Sequence, residues 1–198
     1  MRNIFIASLL VSLVSCGAKQ ETPATTQENK GIAIGSITFT ANAPHNDIYR
    51  FFYAPVSGDK RFIRANSGKI EIKARENNQR AYAGDTNNKK TYLFTIEGAP
   101  GTYALYQYSY LDHIGYSGMV SSSKKFAIPF ELKKDGVIYI GELNYNDDAT
   151  PGTPRIKIVD NYDRDIAAAK SKFPTIKMDR AENKTVTSGD SGKGIVEF

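Results

Sequence analysis

Lys69-Ile70-Glu71-Ile72-Lys73-Ala74 alternates polar and apolar residues without an error. Successive side chains of a β-strand point to opposite faces. The stretch therefore reads as a strand that buries Ile70, Ile72 and Ala74 and wets Lys69, Glu71 and Lys73. The same period of two returns in Lys125-Phe126-Ala127-Ile128-Pro129-Phe130-Glu131-Leu132, in Arg155-Ile156-Lys157-Ile158 and, with Leu93 as the exception, in Tyr92-Leu93-Phe94-Thr95-Ile96-Glu97. One wet face and one buried face is the pattern of antiparallel sheets. Pro129 takes an outward position and lacks an amide hydrogen, which marks an edge strand or a bulge.

Outward from these runs, further strands are expected at Ile34–Thr40, Ile48–Ala54, Thr102–Leu111 and Gly136–Tyr145. Turn residues separate them: Ala41-Asn42-Ala43-Pro44, Ser57-Gly58-Asp59, Gly98-Ala99-Pro100-Gly101, Lys134-Asp135-Gly136 and Pro151-Gly152-Thr153-Pro154. Pro100-Gly101 suits a turn whose second corner needs a positive φ. Short strands so punctuated predict a mainly β fold, an antiparallel two-sheet sandwich. One segment departs from the pattern. Asp160–Lys172 reads as a short C-terminal helix, capped by Asp160, with Asp163 and Asp165 early, Lys170 and Lys172 late, and Pro174 as its stop. Tyr162, Ile166, Ala169 and Phe173 form its apolar stripe.

"APGTYAL", Ala99 to Leu105, resembles the Pro-Gly-x-Tyr turn of transthyretin-like and carboxypeptidase-regulatory-like sandwiches. "FELKKDGVIYIGEL" (Phe130 to Leu143) with "IKIVDNYDRDIAAAKSKFP" (Ile156 to Pro174) is similar to a recurrent group of bacterial lipoproteins. The resemblance implies an Ig-like or prealbumin-like sandwich, and it implies no activity. Such sandwiches host many unrelated functions.

The first residues carry an address. Arg2 precedes an apolar run, Ile4 to Val14, broken only by Ser8 and Ser12, and small residues lead to Cys16, the only cysteine. A positive end, a short apolar core and a small-residue exit make an export signal. The run falls well short of the roughly 20 residues a membrane-spanning helix needs. Leu13-Val14-Ser15-Cys16 resembles the lipobox of bacterial lipoproteins, which implies cleavage before Cys16 and its acylation. Residues 1–15 are then the signal peptide, and Cys16 holds the membrane through acyl chains such as palmitate. Gly17, in place of an Asp retention signal, suggests the outer membrane of the cell envelope. Gly17 to Lys30 is polar, with no aromatic residue, and reads as a flexible tether. Residues 31–198 read as a single domain, with a flexible tail beyond about Ala181.

The chemistry is sparse. Cleavage removes Arg2 and leaves a net charge of about +4, scattered in pairs such as Lys60-Arg61 and Lys133-Lys134, which argues against nucleic acid as a partner. His45 and His113 are the only histidines, and neither sits in a metal-ligand spacing. A triad assembled from His113, Asp112 and a serine lacks a nucleophile elbow. Asn146-Asp147-Asp148 and Asp160 to Asp165 carry oxygens suited to calcium. A solvated loop and helix capping account for them, so no metal and no cofactor are expected. Tyr106, Tyr108 and Tyr110 alternate on one strand, and the opposite face is more polar, which favours a core role. The alternative is an outward platform for sugar or protein. Tyr116, in the loop Gly115-Tyr116-Ser117-Gly118, is the candidate ligand contact. The expectation is a non-enzymatic envelope lipoprotein that binds a protein or glycan. The alternative is a hydrolase acting on an envelope glycan or peptide.

Overall fold

A computed structural model describes residues 29–76, 79–114, 118–150 and 153–186, with residues 76, 113, 114 and 118–125 entering through their backbone. In chain order the elements are β1 (Gly31–Phe39), β2 (Ile48–Pro55), α1 (Lys60–Asn66), β3 (Gly68–Lys73), β4 (Arg75–Glu76), β5 (Gln79–Arg80) and β6 (Thr91–Gly98). There follow β7 (Gly101–Ile114), β8 (Gly118–Leu132), β9 (Val137–Tyr145), β10 (Ile156–Val159), α2 (Tyr162–Lys172), a 3-10 turn (Met178–Arg180) and β11 (Ala181–Asn183). The fold is mainly β. One sheet runs β10-β9-β1-β6 with β11 also on β9, the other runs β3-β2-β7-β8, and β4-β5 is a separate small ribbon.

The period-two segments become strands with the expected inner faces. Ile72, Phe94, Ile128, Phe130 and Ile156 are all buried in the core between the sheets. Pro129 is exposed on β8, an edge strand, where its missing amide hydrogen costs no ladder bond. Gly101 takes a positive φ of 153° at the β6–β7 turn.

The first sheet is not purely antiparallel. β9 runs parallel to β1, and β11 runs parallel to β9. Alternation within a strand reports which face is buried but not the direction of its neighbour. β1 is buried along its whole length, because α2 covers the face of its sheet that the sandwich leaves open. Ile166 and Ala169 of α2 pack there on Ile32, Ile34, Leu93, Val137 and Tyr139, with Tyr162 and Phe173 at the margins. Residues 181–186 do not trail free: Ala181–Asn183 pairs with β9, and the Lys184 N–H donates to the Tyr139 carbonyl at 2.8 Å. A second helix, α1, was not expected. Asp59 caps it by accepting the Phe62 N–H at 2.7 Å.

Two bulges re-aim side chains. The register of β1 with β9 slips between Ile34 and Ser36, and Gly141 opposite the slip takes φ +107°. The extra residue puts Ile140 and Leu143 in the same core while turning Glu142 towards α2. The register of β7 with β2 slips at Tyr106. Tyr103, Leu105 and Tyr108 are therefore core, while Tyr106 is exposed beside Phe52, with ring centroids 6.4 Å apart. The three alternating tyrosines do not share a face: Tyr108 and the partly buried Tyr110 point inward and Tyr106 outward.

Candidate functional site

The strand registers define two poles. At one, β1 begins opposite Gly98 and Val137, close to Lys30. At the other, Phe39 ends β1 opposite Tyr145, and the segments around His45 and Asp147 meet.

Asp147 organises this second pole. It follows Tyr145, which is fully buried, and is itself almost entirely buried. Its Oδ2 accepts the backbone N–H of His45 at 3.1 Å and the hydroxyl of Tyr49. The Tyr49 hydroxyl in turn accepts the N–H groups of His45 and Asn46, each at 3.0 Å. Arg155 lies 3.7 Å from Oδ1 and 5.8 Å above the Tyr145 ring. Behind this cluster stand Phe39, Tyr49, Tyr108 and Tyr145, with Phe39–Tyr49 centroids at 4.7 Å and Tyr108–Tyr145 centroids at 5.5 Å. Burial first, and then the Asp147 carboxylate, pushes the Tyr49 and Tyr145 hydroxyls far above their ordinary range. They stay neutral.

The loop surface above is polar. Asn146 Oδ1 accepts the Asp148 N–H at 3.0 Å and the Thr40 hydroxyl at 3.1 Å, an Asx turn that shapes the chain. A cleft of about 440 Å³ opens there, lined among others by Thr40, Asn144, Asn146, Asp148, Thr153 and Lys157. At its margin the His45 Nε2 lies 3.1 Å from Asp148 Oδ1, both side chains being more than half exposed. Residues with amide, hydroxyl, carboxylate and ammonium groups thus line one cleft together with Ala149 and Pro154, a mixed set that offers both hydrogen bonds and apolar contact to a ligand.

The expected site residues fare differently. Cys16 and Tyr116 lie outside the described residues, and so does the side chain of His113. Asp112, its partner on paper, instead accepts a hydrogen bond from Arg80, which also reaches the buried Asp47. Asp147 is committed to Tyr49, His45 and Arg155. Among the described residues no group of three or more His, Cys, Asp or Glu side chains is placed to hold a metal ion. Asp160 accepts the Tyr162 N–H at 3.0 Å, but it stands one residue before the cap position, which is Asn161 and makes no side-chain cap bond, so the expected capping by Asp160 is corrected.

Asp165 is the surprise. It is fully buried and accepts hydrogen bonds from Ser36 and Tyr139, each at 2.6 Å, and from Arg164 at 2.9 Å. Arg164 also reaches Glu142, which is nearly as buried. Asp165 follows Tyr162 by three residues and so lies on the apolar stripe, a signal that was available. The network pins α2 to the sheet.

No family model matches the chain, and no curated protein matches it. Among solved structures it is similar to a leucine-rich repeat protein from Bacteroides thetaiotaomicron VPI-5482, at 11% identity and a TM-score of 0.33. The match covers 73% of this chain and 16% of that one, too distant a likeness to bear on function.

Proposed function

We propose that the chain is a lipid-anchored protein of the bacterial envelope whose sandwich is a non-enzymatic binding module, offering the cleft beside Thr40 to an envelope glycan. The observation that carries this reading is the placing of the two poles. The polar segment that follows Cys16 meets the domain at Lys30 and Gly31, and the cleft lies past the far end of the same strand, at Thr40. Nine residues of strand separate the poles by about 30 Å. A domain held by acyl chains on Cys16 thus offers the cleft away from the membrane. The lipobox supports the anchor, Gly17 supports the outer membrane, and the amide and hydroxyl lining supports a sugar as ligand.

Binding to immobilised envelope glycans tests it. The chain is expected to bind at least one, and the double substitution Asn146→Ala/Lys157→Ala is expected to weaken that binding at least tenfold without unfolding the protein. A chain that binds none of them, or a double variant that binds as well, contradicts the cleft as the site. The His45–Asp148 pair favours a second reading, a hydrolase that uses His45 as a base beside the cleft. His45→Asn would then abolish turnover of the same glycans while sparing binding. The first reading is preferred because the contact of the His45 imidazole is the Asp148 carboxylate, whereas the Tyr49 hydroxyl is bonded to the His45 backbone N–H and so is not placed as a nucleophile for that ring.

A further inference from the structure

We propose that the pole where the anchored segment joins is a docking face for the membrane's own anionic phospholipid, with a lipid phosphate seated among Lys30, Lys177 and Arg180. This rests on the lipid-anchored reading. Residues 17–30 are 14 in number and extend at most about 45 Å, so this pole stays within about 45 Å of the bilayer and can reach it.

A cavity of about 340 Å³ opens there, with Lys30, Lys177 and Arg180 on its rim and Ile32, Val137 and Ile176 among its apolar lining; Asp135 is the one acidic residue in that lining. Three cations against one carboxylate leave the cavity positive. Lys30 lies 3.5 Å from Glu97. Among the described residues neither Lys177 nor Arg180 has an ion-pair partner. Between them Met178 is buried against the α2 side of the first sheet, so both cations stand on a fixed turn. A guanidinium presents paired donors to phosphate oxygens, and an ammonium adds charge beside it.

The same pole continues onto the second sheet. The Val56 N–H donates to the Thr102 carbonyl at 2.9 Å, beside the start of β7, and the Val56 side chain is 62% exposed. Next to it α1 exposes Lys60, Arg61 and Arg64. Of the nearby carboxylates, Asp59 caps α1, Glu97 faces Lys30 and Asp179 pairs with Lys170, while Asp135 in the cavity lining and the exposed Glu131 opposite Thr102 offset part of the positive charge. A face rich in cations, with the Val56 side chain exposed among them, suits an anionic interface. An acyl anchor and a basic patch together hold a membrane more durably than a single chain.

The test uses the full chain extracted from its own membranes in neutral detergent. It is titrated with dihexanoylphosphatidylglycerol, dihexanoylphosphatidylcholine and inorganic phosphate, and followed by backbone amide NMR. Phosphatidylglycerol is expected to shift the amides of Lys30, Lys177 and Arg180, and phosphatidylcholine is not. Lys177→Ala/Arg180→Ala is expected to weaken the response at least tenfold, and Lys177→Arg to keep it. No response to phosphatidylglycerol, or an undiminished one in the double variant, overturns the proposal. Inorganic phosphate binding as well as the lipid overturns the lipid as ligand. Fatty-acid labelling of Cys16 is scored separately. An unlabelled chain that still responds supports the pocket while removing the anchor, and a labelled chain that does not respond removes the pocket alone.

Discussion

Tyr106 and Tyr108 are two residues apart, share a side-chain type and have opposite fates. The bulge at Tyr106 leaves it exposed beside Phe52, whereas Tyr108 is buried against Phe51, Phe126 and Tyr145. Tyr108→Ala is expected to cost about 3–5 kcal/mol by opening a cavity. Tyr106→Ala is expected to cost less than about 1 kcal/mol. Denaturant melts of the two variants decide it, and equal losses would contradict the bulge. Period two made the strand legible, but neither glycine nor proline marks the inserted residue, so the change of face was not. Glu71 offers a test by pH. Hydrogen bonds from Lys69 and then Arg50 lower its carboxyl from an ordinary 4.5 to about 2. A depressed carboxyl contributes stability above its unfolded value, and that contribution is lost as pH falls from 4.5 towards 2. Glu71→Gln should therefore flatten the acid limb of the melting temperature in that window, its loss being largest near neutrality, small because the ion pairs are partly exposed, and vanishing as pH approaches 2.

At the scale of elements, α2 depends on one arginine. Arg164 stands between Asp165 and Glu142, two carboxylates almost wholly withdrawn from water. Arg164→Ala leaves both without that cation and is expected to cost about 3–5 kcal/mol. Calorimetry would show it, and a loss near zero would mean that α2 is held by its apolar stripe alone. The helix itself was legible from its dipole-matched charges and from Pro174. Asp165 was read only for its match to the helix dipole; its place on the apolar stripe pointed inward, but its partners Ser36 and Tyr139 are distant in sequence. The helix α1 went unread because seven residues with no buried side chain make no stripe. The parallel pairing of β9 with β1 was equally silent, since a strand's own alternation does not name its neighbour. Where alternation does apply it supports a sharp contrast. Ile72→Ala should cost about 2–5 kcal/mol and the exposed Lys73→Ala little, in the same denaturant melts.

For the whole molecule, the two ends differ in kind. The end next to Lys30 exposes cations and an apolar side chain, and the other gathers Asp147, Asp148, His45 and amide groups around a cleft. The sandwich was legible from local alternation. The polarity of its ends was not, because it arises from registers that bring Lys30, Lys177 and Arg180 together across the chain. The proposed anchor rests on contiguous residues alone. In that proposal it decides which end meets the membrane. Mass spectrometry of the N-terminal peptide, from the chain isolated from its own membranes, addresses this directly. The predicted result is a chain that begins at Cys16 and carries a diacylglycerol on its sulfur. A chain that begins elsewhere, with Cys16 absent or unmodified, would contradict it.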